Sequence, residues 1–83
     1  MNEQPFPIIS ENQVALLRDD LYTGHVMDKD IKIAINDKQE TWTVFDEISQ
    51  AMEEANRIVT EYDFIECFIF DKDKNLIEHI TPL

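Results

Sequence analysis

Apolar residues recur along the chain with two different periods, and the changes of period divide it into elements. Val14, Leu17 and Leu21 fall at helical spacing, with Leu16 beside them. They follow Ser10-Glu11-Asn12-Gln13, which has the form of a capping box: a hydroxyl at the N-cap and Gln three residues on. This predicts a short helix over residues 11–21. Gly24 then stands where a helix is often followed by a left-handed residue.

From Ile31 the period drops to two. Ile31, Ile33 and Ile35 share one face while Lys32 and Ala34 share the other, which is a strand pattern. Asn36 to Glu40 form a polar turn. The run Thr41 to Phe45 is rich in β-formers, so residues 31–45 read as a hairpin. Asp46 can cap a helix that starts just after it. Ile48, Ala51, Met52, Ala55, Ile58 and Val59 draw one apolar stripe along a helix over about 46–61, the clearest pattern in the chain.

Phe64 to Phe70 is apolar on both faces except at Glu66, as in a central strand covered on both sides. Asp71 to Asn75 is a turn, and Leu76 to Ile80 the return strand. The expected architecture is α+β: a four-stranded antiparallel sheet of two hairpins in ββαββ order, with the long helix on one face and the short helix before it. Residues 1–9, with Pro5 and Pro7, read as an extended segment in which Phe6, Ile8 and Ile9 can tether onto the core. Residues 10–83 read as a single small domain.

Composition narrows the function classes. The 83 residues are 43% hydrophobic, too apolar for an acidic disordered tail. Eighteen acids against seven bases leave a net charge of −11, which argues against direct nucleic-acid binding and attraction to anionic membranes. A chain this short buries only roughly 60% of its unfolded surface, so association with a partner is a natural source of support. Cys67 is the only cysteine, which excludes a disulfide within the chain and fits a reducing, cytoplasmic setting. The N-terminus has neither a basic region nor a long apolar run, so no signal peptide is expected.

Candidate chemistry is thin. Asp71-x-Asp73-x-Asn75 begins like a calcium loop, but Leu76 and Pro82 stand where the loop requires Gly and Glu. His25 and His79 lack an orienting carboxylate, and the alternation puts His79 and Glu78 on opposite faces, so His79 reads as a solvated surface residue. Cys67 alternates with Ile65 and Ile69 and reads as a packed small hydrophobe. One glycine cannot make a phosphate loop. No catalytic residues, metal or cofactor are expected, and the protein reads as non-enzymatic.

Two surface features rise above that background. With Ile65, Cys67 and Ile69 on the long helix, Phe64, Phe68 and Phe70 point the other way and need a cover, for which the short N-terminal helix is the first candidate. Glu47, Glu54 and Glu61 repeat every seven residues as one line on the exposed helix face. The leading expectation is therefore a small acidic protein-binding module. Its most concrete form is an inhibitor or immunity-type protein that blocks a basic site on another protein, with Glu47, Glu54 and Glu61 supplying charge and Trp42 a candidate anchor. The alternative is a structural homodimer or accessory subunit using the Phe64/Phe68/Phe70 face. A third, a ligand-binding protein or enzyme, requires a pocket with convergent polar groups.

Overall fold

In the computed structural model, residues 4–82 are described, and they form an α+β fold of one helix and a five-stranded antiparallel sheet. The elements in chain order are β1 (Val14–Asp20), β2 (Val26–Met27), β3 (Trp42–Phe45), α1 (Ile48–Glu61), β4 (Ile65–Phe70) and β5 (Leu76–Ile80). β1 and β4 lie side by side at the centre, and β5 pairs with the outer side of β4. The other side of β1 is shared: β3 pairs with Val14–Leu17 and β2 with Arg18 and Asp19.

Residues 14–20 are thus the central strand, not the helix that their spacing predicts. Val14, Leu16 and Arg18 point to α1 while Ala15, Leu17 and Asp19 point away. An apolar run used on both faces of a sheet carries no period that separates strand from helix. The capping-box residues do make their local hydrogen bonds, since Gln13 Oε1 accepts the Ser10 N–H at 2.7 Å and the Gln13 N–H donates to the Ser10 carbonyl at 3.0 Å. Those bonds close a turn into β1. Gly24 is left-handed as expected, with φ of 77°, but in the β1–β2 turn, where Asp20 Oδ1 accepts the N–H groups of Tyr22 and Thr23.

Residues 31–35 are likewise not a full strand; one bridge, Met27 to Ile33, is formed. Asp28, buried, accepts the N–H groups of Asp30 and Lys32 and the Gln39 amide, which folds 28–39 into a loop with Ile31 at φ of 60°. β3 therefore pairs with β1 instead of with 31–35, and the ββαββ order with four strands gives way to this five-stranded arrangement. Ile35, without a face to bury, is 70% exposed.

The long helix runs from Ile48 to Glu61, with Glu47 as its N-cap residue in place of Asp46. The Glu47 N–H donates to the Gln50 side chain at 3.2 Å, and the Tyr62 N–H closes the far end on the Ile58 carbonyl. Ala51, Ala55 and Ile58 are its buried stripe, and the alanines bring the helix backbone down onto β1 and β4. Beneath it lie Val14, Leu16, Ile65, Cys67 and Ile69 as a closed core, with Met52, Phe45 and Ile80 at its margin.

Candidate functional site

α1 covers one side of the sheet. On the other side, no helix or strand of the described residues packs, and the strand register sets out what stands there. β3 contributes Trp42 and Val44, β1 contributes Ala15, Leu17 and Asp19, β4 contributes Glu66, Phe68 and Phe70, and β5 contributes His79. The short helix expected over this face does not exist. Instead Phe6, from the segment before β1, stacks edge-on against Trp42 at 5.0 Å and Phe70 at 6.3 Å. Gln4 holds that segment down: its carbonyl accepts the Trp42 indole N–H at 3.3 Å, and its amide oxygen accepts the Thr41 hydroxyl at 2.9 Å. Residues 1–3 of the segment lie outside the described residues. The tether reaches only one end, because Ile8 is fully exposed.

The face runs from an apolar end to a polar one. At the apolar end Val44 and Leu76 flank Ala15 and Phe70 at the sheet edges and are 40% and 51% exposed. Phe68 lies flat against the His79 ring, centroids 4.4 Å apart with 7° between planes. His79 Nε2 donates to Glu66 Oε1 at 2.7 Å, and Glu66 stands opposite Asp19. His79 is an exposed surface residue, as expected, and it is also oriented by an aromatic ring and a carboxylate. Asp19 Oδ1 is buried and has no hydrogen-bond partner. Burial first, then the hydrogen bond and charge of Glu66 and the charge of Asp20, push Asp19 up to about 7.

Of the aromatic residues expected on this face, Phe68 and Phe70 are there. Phe64 is not: it precedes β4, packs at the margin of the helix-side core and sits edge-on to Tyr62 at 6.2 Å. Trp42 is half-buried between Phe6 and Phe70, with its ring 5.5 Å from the latter. Asp19 and Glu66 were absent from the expected site residues. Glu66 left a signal as the one polar interruption of an apolar central strand, whereas Asp19 left none within a run that reads as helix.

The acidic line on the helix is internally compensated. Arg57 binds Glu54 through Nε and Nη2, at 2.9 and 2.7 Å, and Glu61 through Nη1 at 2.7 Å. The hydrogen bond from Arg57 holds Glu54 below the usual carboxylate range. Glu47 lies apart, on a groove of about 720 Å³ at the helix start with Asp46, Asp71 and Asp73. The heptad spacing is present, but the three carboxylates do not present one uniform anionic stripe.

Other candidates resolve into structure. Asp71 Oδ1 takes the N–H groups of Asp73 and Asn75, both at 2.9 Å, so it ties the β4–β5 turn together. Among the described residues no three His, Cys, Asp or Glu side chains converge as metal ligands. Cys67 is wholly buried, and burial pushes its thiol up to about 12, the opposite of a reactive cysteine. Arg18 is buried beneath the helix, donates to the Thr41 carbonyl and the Thr43 hydroxyl, and is lowered by desolvation. It pins the approach to β3 onto β1. Among the described residues no helix is long and apolar enough to cross a membrane. Comparison of the chain with protein-family models, curated proteins and solved structures gives no match.

Proposed function

We propose that the protein is a non-enzymatic protein-binding module that docks a basic partner on the open face of its sheet. One observation carries the reading: Leu17, Trp42, Phe68 and Phe70 stand half-buried on a sheet face that no helix or strand of the described residues covers, with only the Phe6 segment laid over Trp42 and Phe70. An apolar sheet face in water is costly to leave bare, and aromatic residues are the usual anchors of interfaces. Charge argues for the partner's sign. Docking a second copy on this face brings two chains of −11 together, with Asp19 and Glu66 of each in the contact, whereas a basic surface is attracted over the whole approach. An inhibitor that covers a basic site on another protein is the most concrete form of such a module. The compensated helix line makes α1 the scaffold of the binding face, with its acids adding to long-range attraction.

The test compares three baits in lysate of the source organism, at low and high salt: the native protein, Phe68→Ser, and the double variant Glu47→Lys/Glu61→Lys. Circular dichroism confirms that all three are folded. The expected result is a basic protein captured by the native chain and the helix variant and lost by Phe68→Ser. Loss with the helix variant alone moves the site to α1. Recovery of the chain itself, retained at high salt, makes the face a homodimer interface.

A further inference from the structure

The polar end of the open face brings together side chains of three strands, with His79, opposite Phe68, reaching diagonally to Glu66. β1 sets Asp19 opposite Glu66 of β4, and β5 brings His79 Nε2 to 2.7 Å from Glu66 Oε1. Like charges directly opposite on a sheet repel. Two carboxyl groups set opposite one another, with no cation between them, are held most easily when one of them keeps its proton. Water relieves the repulsion only in part, since Asp19 is half-buried and its Oδ1 is shut away from solvent with no hydrogen-bond partner. Among the described residues no lysine or arginine pairs with either carboxyl.

We infer that Asp19 and Glu66 form a proton-binding pair on the open face, and that gain or loss of this one proton switches the charge of that surface. With the proton bound, the Asp19 hydroxyl donates to Glu66, which also accepts from His79, and the pair carries one negative charge. Released to water, the proton leaves two carboxylates side by side. The titratable groups facing Asp19 are Glu66 from β4, with His79 of β5 behind it, and Asp20 on its own strand. β2 sets Val26 opposite Asp19, with His25 one residue before. Burial, the Glu66 hydrogen bond and these like charges all favour the protonated form, in keeping with a carboxyl that titrates at about 7. The proton site belongs to the isolated protein. Its influence on a partner rests on the open face being the docking surface: the deprotonated pair adds attraction for a cationic partner, and the protonated pair weakens it.

Linkage fixes the sign of the stability effect. The folded-state value lies above the ordinary 3.8, so the pair's stabilisation is fully present below 3.8 and is lost as pH rises to about 7. Asp19→Asn keeps the shape and removes the titration. The experiment is a carbon-13 NMR titration of the side-chain carboxyls of the native protein and Asp19→Asn, with thermal unfolding followed over the same pH range. In the native protein the Asp19 carboxyl is expected to titrate at about 7. In Asp19→Asn that step is absent, and the variant gains stability over the native chain from pH 3.8 to about 7, after which the gap is level. Titration of the native Asp19 carboxyl in the ordinary range near ~4 overturns the inference, as does a stability gap that does not change with pH. No partner enters these measurements, so failure here leaves the docking reading standing, and failure of the Phe68→Ser test leaves the proton pair standing.

Discussion

Leu16 and Leu17 are neighbours on one strand, and they enter two different environments. Leu16 is completely buried under α1, among Ile65, Ile69 and the helix alanines, whereas Leu17 stands half-buried on the open face between Trp42 and Phe68. The helix side is closed and aliphatic, and its one cation, Arg18, is satisfied by neutral oxygens. Opposite it lies a surface of aromatic rings with a carboxyl pair and a histidine. One side of the sheet is built for stability, and the other carries groups that stability alone does not require. Small domains need most of their apolar area in one core, so rings left on the far side are the part of the composition that calls for a functional explanation.

The comparison breaks most sharply at that leucine pair. Leu16→Ala is expected to cost roughly 2–5 kcal/mol, because it leaves a cavity in a closed core. Leu17→Ala is expected to cost only about 1–2 kcal/mol, since the open site loses part of its burial and solvent fills the gap. Urea unfolding of the two variants measures the difference, and equal costs would mean that the open face is as closed as the core. Next in size is Phe6→Ala, which removes the edge-on contacts that hold the N-terminal segment on Trp42 and Phe70. Its expected cost is about 1 kcal/mol, with a red-shifted Trp42 fluorescence as its indole meets water. Unchanged fluorescence would show that the tether does not shield the ring. Smallest is Arg57→Ala. Its ion pairs with Glu54 and Glu61 lie on the exposed side of α1, more than half of the Arg57 side chain meets solvent, and less than about 1 kcal/mol is expected. That loss should shrink further in high salt.

The compensated helix line shows where spacing reasoning stops. Glu47, Glu54 and Glu61 do repeat along one side, but Arg57 lies three residues after Glu54 and four before Glu61, within reach of both. The acids and the base were all legible; which charges remain uncompensated is a matter of side-chain geometry. The open face divides in the same way. Alternation in β4 already separates Ile65, Cys67 and Ile69 from Phe68 and Phe70, and it separates Glu78 from His79 in β5. The partnership of Asp19 with Glu66 depends on β1 lying beside β4, and residues forty-odd positions apart carry no local sign of that.

What the chain's local pattern determined by itself is its second half: the helix of the Ala51, Ala55 and Ile58 stripe, the β4 alternation, the Asp71 turn and the return strand. These elements are specified by contacts a few residues apart, or by one face that must be buried. The first half was decided by tertiary structure. Val14–Asp20 has residues suited to a helix, and Ile31–Ile35 has the period of a strand, yet the first is the central strand and the second mostly a loop. Their reversal has one physical cause. The long helix and β4 offer a single apolar platform, and the segment apolar on both sides gains most by lying at its centre, beside β4. With β3 and β2 then sharing the other edge of β1, no place along it was left for the isoleucine run.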